Sequence, residues 1–405
     1  MYVTVRGLPK GPPGASKTVS GTVILLGLTS MFTDISAEMV VAVLPMFATA
    51  ILGLSPLAYG VVDGLYHGVA TFVRVGGGLA ADMSGRPKAV AVSGYGLSAV
   101  CKLALLPVTN GAALAAVVAV DRTGKGIRTA PRDAMIAAST QPDVLGRAYG
   151  VHRAMDTAGA LAGPLIAFAI LAVIPNGFDE VFLVSFAAAL VGLAVLVFLV
   201  PNVRRQATEH HRRVSVRDVG RLAGSPRLRR LLVAAVVLSA LSIGDGFLYL
   251  ALQRREEFAA QYFPLLFAGT ALVYLVLAIP FGRLADRFGR VRVFLAGHLA
   301  LAAAYAVAAG LGSGVAGVLA CLALLGAFYA ATDGVIAAAA AGRVPTRLRG
   351  SGIALAQTAV AVGRLVAGVV FGAAWSLVGR DVALYGFALV LLVVLAGVTL
   401  IWRHA

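Results

Sequence analysis

A chain of 405 residues that is 60% hydrophobic and only 13% charged has too little polar side chain to cover a soluble fold of its size. Its net charge of +16 would suit a nucleic-acid partner, but the basic residues lie in short segments between long apolar runs, a distribution that excludes one. Cys101 and Cys321 each sit inside an apolar run, with no paired spacing, so neither a disulfide nor a metal site is expected.

The apolar runs are each long enough to cross about 30 Å of hydrocarbon as a helix. In chain order, residues 1–18 form an arm with Arg6, Lys10 and Lys17 and without the features of a removable signal peptide. Six spans follow within 19–200, at 19–46, 57–81, 89–107, 112–134, 148–173 and 180–200. The segment 201–230 is polar and Arg-rich, carries His210-His211, and reads as a basic linker. Six more spans complete 231–405, at 231–252, 260–282, 292–311, 315–341, 350–377 and 382–402. With alternating spans, the arm, the linker and the basic turns carrying Arg86, Lys88, Arg283, Arg287, Arg290 and Arg292 fall on one side. The opposite connections near 52–57, 107–111, 174–180 and 311–315 contain no Lys or Arg, and the exceptions on that side, Arg254-Arg255 and Arg380, have the acids Glu256, Glu257 and Asp381 beside them. This asymmetry predicts both termini in the cytoplasm, and Arg-rich, Ala-rich usage points to a bacterial inner membrane. The basic charge then serves topology and contact with anionic lipid.

One phrase occurs twice, about half the chain apart. Gly78-Leu79-Ala80-Ala81-Asp82-Met83-Ser84-Gly85-Arg86-Pro87-Lys88 follows the second span, and Gly282-Arg283-Leu284-Ala285-Asp286-Arg287-Phe288-Gly289-Arg290-Val291-Arg292 follows the eighth. Asp34 and Asp245, Asp133 and Asp333, and the runs from Arg147 and Arg349 recur at nearly the same offset. Such repetition is the mark of a transporter built from parallel repeats.

In these features the chain resembles the major facilitator superfamily over essentially its whole length. The second copy of the phrase is similar to that superfamily's motif nearly throughout; the first departs at Met83 and Pro87, where basic residues are usual. The resemblance implies an all-α membrane protein of twelve helices in two pseudo-symmetric six-helix bundles around a central cavity, working by alternating access, usually as a monomer. It also implies a conformational latch. Asp82 would sit near the N-terminus of the eleventh helix, and Arg86 and Arg290 would pair with Asp133 and Asp333. Gly78 and Gly282 would let backbones approach closely, and Gly85 and Gly289 would permit tight turns.

The fourth span is unusual for a membrane helix. Asp121, Lys125, Arg128 and Arg132 recur at helical spacing on one face, beside Arg122. A charge at the bilayer centre costs roughly 2.5–3.5 kcal/mol even on a lenient scale, so these groups need a wet cavity, partner charges, or a route for the longer side chains to the cytoplasmic face. Lys102 in the third span is expected to snorkel outward. Arg122 with Gly126 resembles a motif of proton-coupled members of the superfamily. Asp34 and Glu38, one turn apart in the first span, are the expected proton carriers, because an acid in a partly dry cavity can load and release a proton near neutral pH. Asp63 and His67 lie one turn apart in the second span, and with Lys125, Asp245, Gln357 and Arg364 they are the candidate cavity residues. Tyr249, Tyr274, Phe328 and Tyr329 are candidate lining aromatics. Gly159, Gly163 and Pro164 in the fifth span resemble the antiporter motif of exporters, which there seals the interface between halves.

The expected function is secondary transport driven by a proton gradient, with no other cofactor: antiport of a small or amphipathic organic solute outward. The alternative is transport of an anionic solute, such as an organic acid, siderophore or phosphorylated metabolite, through Arg74, Arg122, Lys125, Arg128 and Arg364. The chain has no His-Glu-x-x-His, Gly-x-Ser-x-Gly or P-loop phrase, which argues against an enzyme.

Overall fold

The computed structural model describes residues 19–141, 143–202, 222, 224–345 and 348–403. The arm 1–18 and most of the linker 201–230, including His210-His211, lie outside the described residues. Among the described residues there is no strand. The helices of the first half are α1 (Gly21–Met46), α2 (Pro56–Ser84), α3 (Pro87–Ala104), α4 (Gly111–Ala138), α5 (Leu145–Val173) and α6 (Phe178–Ala194). Those of the second half are α7 (Pro226–Ala240), α8 (Asp245–Glu256), α9 (Phe263–Phe288), α10 (Arg290–Ala306), α11 (Gly314–Thr332), α12 (Val335–Ala341), α13 (Arg349–Val378) and α14 (Arg380–Arg403).

Nine stretches of the described residues are long and apolar enough to cross a membrane. The three expected spans missing from them correspond to α2, α3 and α4. These helices are present and run 29, 18 and 28 residues. Charge and polarity, not length, set α4 apart, because it alone carries Asp121, Arg122, Lys125, Arg128, Arg132 and Asp133.

Two expected spans are broken. The seventh divides into α7 and α8 at Leu241–Gly244, where the Tyr305 hydroxyl donates to the Leu241 carbonyl at 2.8 Å and accepts from the Ile243 N–H at 2.9 Å. A fully buried tyrosine thus satisfies backbone groups that the break frees, as hydrocarbon demands. The tenth divides into α11 and α12 at Asp333-Gly334, with Gly334 in the left-handed region at φ +73°. The basic turns are built as expected, with Gly85 at φ +61° and Gly289 at φ +95°.

The described residues divide into two compact units. One holds residues up to Val43 and Val69 onward to 202; the other holds Leu44–Gly68 together with residue 222 and 224 onward. The N-terminal part of α2, up to Gly68, therefore belongs with the second unit, which a cut at the linker would not give. Small residues set the close packing in each. In the first unit α3 meets α4 where a Cβ on Gly94 would come within 2.7 Å of the Gly124 carbonyl oxygen, and a Cβ on Gly124 within 2.7 Å of the Gly94 oxygen. A Cβ on Gly163 of α5 would come within 2.7 Å of the Ile35 carbonyl oxygen and 2.9 Å of Glu38 Cβ. Gly159 lies against Met31 in the same way, so this glycine pair seats α5 on α1.

Candidate functional site

The charged residues of α4 divide between two environments. Asp121, Arg122 and Lys102 form a buried triad between α3 and α4. Lys102 Nζ donates to Asp121 Oδ1 at 2.9 Å, Arg122 Nε donates to Oδ2 at 2.9 Å, and Arg122 Nη2 also reaches Oδ2. Lys102 and Arg122 are each 3% exposed. Lys102 therefore does not snorkel outward: Asp121 lies within its reach one helix away, and the pair forms inside the bundle. Asp121 also leaves the stripe expected with Lys125, Arg128 and Arg132, turning toward α3.

The other charged residues of α4 lie among α1, α3 and α5. The Arg128 guanidinium sits 4.5 Å from the ring centre of Tyr95 on α3, a cation–π contact, and its Nη1 is buried without a hydrogen-bond partner among the described residues. Arg132 donates to Ser30 at 3.2 Å and to Asp133 at 3.0–3.1 Å. Ser30 Oγ is also 3.3 Å from His152 Nε2, and His152 Nδ1 is 3.3 Å from Asp156 Oδ1. Asp34, half-buried on α1, faces this assembly. It makes no hydrogen bond or close ion pair among the described residues, and its electrostatic neighbours are Lys125, Asp156, Arg128 and Arg132. Lys125 is placed between Arg122 and Arg128 on its own helix and Asp34 and Glu38 on α1. The first unit thus brings Asp34, Glu38 and Lys125 together, with Arg122 committed to Asp121.

In the second unit the break between α7 and α8 presents Asp245 at a helix N-terminus. Its carboxylate accepts a hydrogen bond from the Tyr329 hydroxyl, and the Arg364 guanidinium lies 5.9 Å from the Tyr329 ring centre. Asp63 on α2 is 7% exposed, has Asp245 and Arg364 as charged neighbours, and has Oδ1 3.8 Å from His67 Nε2. Gln357 is exposed on α13. Asp245, Arg364, Asp63 and His67 are gathered in this unit. The expected aromatic lining is not all available: Tyr249 is fully buried, stacks against Phe263 and Phe267 and donates to Thr270 at 2.6 Å, so it packs the core. Phe328 is buried too.

The latch pairs implied by resemblance are not made here. Asp133 is bonded by adjacent Arg132, which reaches it first, while Arg86 is exposed and makes no ion pair among the described residues. Asp333 ends α11 and turns to Tyr274, whose hydroxyl donates at 3.0 Å; Arg290 pairs with Asp286 of its own turn at 3.9 Å. The Asp82 side chain lies outside the described residues. Gly282 has nothing within 4 Å of a built Cβ and Gly78 has only Ala130 Cβ at 3.4 Å, so neither makes the expected close approach. Gly77 makes it instead, against Ile127 at 2.6 Å. Arg287 lies 5.2 Å from the ring centre of Phe288. Sequence reading missed the Lys102–Asp121 pair and the role of Tyr305. An acid and a lysine in adjacent spans was a usable signal for the first; nothing in the sequence pointed to the second.

The profile of the Major Facilitator Superfamily matches residues 26–258 and again 247–405. The chain belongs to this superfamily. A curated relative, an uncharacterized MFS-type transporter of Methanocaldococcus jannaschii, is 29% identical over 390 residues, covering 93% of this chain and 94% of that one. An uncharacterized protein of Mycobacterium bovis is 27% identical over 279 residues, 66% of each chain. Among solved structures, the nucleoside transporter NupG aligns with a TM-score of 0.79 at 14% identity, over 95% of this chain and 100% of its own. A POT family transporter in complex with a thioalcohol-conjugated peptide aligns at 0.79 and 13% identity, over 94% and 96%. The human organic anion transporter MFSD10 aligns at 0.64 and 14%, over 93% and 98%. At these identities the structures show the fold alone. The protein is a multi-pass membrane transporter of the major facilitator fold, not an enzyme, and two copies of the family match bear out the duplication read from the repeated phrase.

Proposed function

We propose that this transporter exports a small or amphipathic organic solute in exchange for protons, with Asp34 as the proton carrier and Glu38 beside it. The observation that supports this is the contrast between two acids of the first unit. Asp121 is locked by two cations, whereas Asp34 has no direct partner among the described residues and faces a row of them. A carboxylate without a fixed bond can exchange a proton without dismantling structure. Its charge alters the field at Lys125, Arg128 and Arg132 in one step. Protonation removes the attraction between α1 and α4 and so biases the equilibrium between two states of the transporter. Arg122 supports the site from behind, holding α4 through Asp121.

The polar contacts to the solute are assigned to Lys125, Asp245, Gln357 and Arg364, with Asp63 and His67 on the access path. Gating is assigned to the two basic turns (Gly78, Asp82, Gly85 and Arg86; Gly282, Asp286, Arg287, Gly289 and Arg290), to Asp133 and Asp333, and to Gly159, Gly163 and Pro164. The protein works as a monomer in the bacterial inner membrane with both termini cytoplasmic. A second reading, transport of an anionic solute, is favoured by one observation, the buried Nη1 of Arg128, which lies near Lys125 and has no hydrogen-bond partner among the described residues. Solved relatives in fold include transporters named for nucleosides, peptides and organic anions, so the fold is compatible with either.

Asp34→Asn in proteoliposomes tests the assignment. The variant should fold and still exchange solute down its gradient, but lose uphill transport driven by a proton gradient. Unimpaired uphill transport would remove Asp34 from the mechanism.

A further inference from the structure

The N-terminal part of α2 packs on α13 through bare backbone and meets α8 through the side chains of Tyr59, Asp63 and Phe247. A Cβ on Gly64 would come within 2.9 Å of the Leu365 carbonyl oxygen, and one on Gly368 within 2.7 Å of the Gly60 oxygen. Gly372 lies against Pro56 and Leu57 in the same manner. Into this seam projects Asp63. Its carboxylate sits so close to Gly244, the residue preceding α8, that any side chain at 244 would overlap it. Asp63 is more than nine-tenths buried, and its Oδ2 has no hydrogen-bond partner among the described residues.

The groups facing Asp63 can be named element by element. Its own helix supplies the hydroxyl of Tyr59 and the imidazole of His67; α8 supplies Asp245, already bonded by Tyr329 of α11; α13 supplies Arg364. Pro45, at the end of α1, packs beside Gly246 and brings no charge. Asp63 and Asp245 thus have Arg364 as a charged neighbour in a seam lined by glycine backbone, and neither makes an ion pair with it among the described residues. A buried carboxylate oxygen with no donor carries a desolvation cost that a bound proton removes.

We infer that Asp63 is a second proton-binding site, separate from Asp34, occupied when the N-terminal part of α2 is packed on α8 and α13 and emptied when that seam opens. The proton bonds to Asp63 Oδ2 and neutralises the carboxylate; on opening, water reaches the group, the proton leaves to the outer medium, and the charged carboxylate resists closing. This deepens the reading of the protein as proton-coupled, and makes closure of its outer side the step that carries a proton in.

The test reads the seam itself, not transport. Leu57 on α2 and Leu377 on α13 are both exposed, 40% and 84%, and take spin labels as Leu57→Cys and Leu377→Cys, with buried Cys101 and Cys321 replaced by alanine. Pulsed electron paramagnetic resonance of the full chain in nanodiscs, from about pH 5 to about pH 9, gives the distance across the seam against pH. The expected result is a shift toward longer distance as pH rises in the parent, complete loss of that shift in Asp63→Asn, which mimics the protonated acid, and its retention in Asp34→Asn. Asp63→Ala, which removes the acid altogether, should also show no shift. A parent with no pH-dependent distance overturns the inference. So does a shift that survives in both Asp63 variants. Because the readout is a distance, failure of Asp34 as the transport carrier leaves this result standing, and the reverse.

Discussion

Replacing Asp121 by asparagine should be among the most destabilising single changes available in the first unit. The substitution leaves Lys102 and Arg122, each 3% exposed, facing one another with no carboxylate between them. Removing one partner of a buried ion pair costs about 3–5 kcal/mol, because the remaining charge stays desolvated and uncompensated. At 1.4 kcal/mol per factor of ten, that is roughly two to three and a half powers of ten in the folding equilibrium. Lys102→Met is the informative control. It fills much the same volume, leaves the Asp121–Arg122 pair intact and removes the surplus positive charge, so it should lie within about 1 kcal/mol of the parent. Both proteins would be titrated with sodium dodecyl sulfate in mixed micelles, with unfolding followed by circular dichroism in the helix band. Equal midpoints for the two variants would refute the argument, since the triad would then be held in a medium too wet for the charge count to matter.

Other consequences follow from particular contacts. Gly163→Val should cost about 1–3 kcal/mol by overpacking α5 against the Ile35 carbonyl, whereas Gly282→Ala, with open space around it, should leave the unfolding midpoint in the same titration unchanged. Tyr305→Phe removes the hydroxyl that serves both Leu241 and Ile243, and should speed amide hydrogen exchange at Leu241–Gly244 without altering that of α5. If the second reading of the substrate holds, Lys125→Glu or Arg364→Glu should shift competition for transport from anionic toward cationic solutes; unchanged preference in both would dismiss these residues as substrate contacts.

Much of the fold was legible because a bilayer leaves the chain few choices. Apolar runs must be helices, basic turns mark one side, and a phrase that recurs half a chain later reports duplication. The glycines of the basic turns were readable from the same phrase, and Gly85 and Gly289 do take left-handed backbone. The breaks before Asp245 and after Thr332 had a local signal, Gly244-Asp245-Gly246 and Asp333-Gly334, that the length of the apolar runs around them masked, and the bonds that tolerate the first come from a distant residue, Tyr305. The acids of the candidate site were visible as charges in apolar spans, but their partners were not. Whether Arg122 meets Asp34 or its own neighbour Asp121 depends on rotation of α4 about its axis, and Lys102 decides that rotation from another helix. Likewise, Gly77 and Gly78 are indistinguishable in the sequence; the face presented to α4 selects the first.

The central claim, that solute leaves in exchange for protons, is tested most directly in inside-out vesicles or proteoliposomes holding an acid-inside proton gradient reported by a quenched dye. Cationic, neutral and anionic compounds would be added in turn to the parent and to Asp34→Asn. Proton antiport predicts that particular compounds collapse the gradient in the parent and none does so in the variant, which also gives the substrate class. Solute uptake by the parent that leaves the gradient untouched would contradict it.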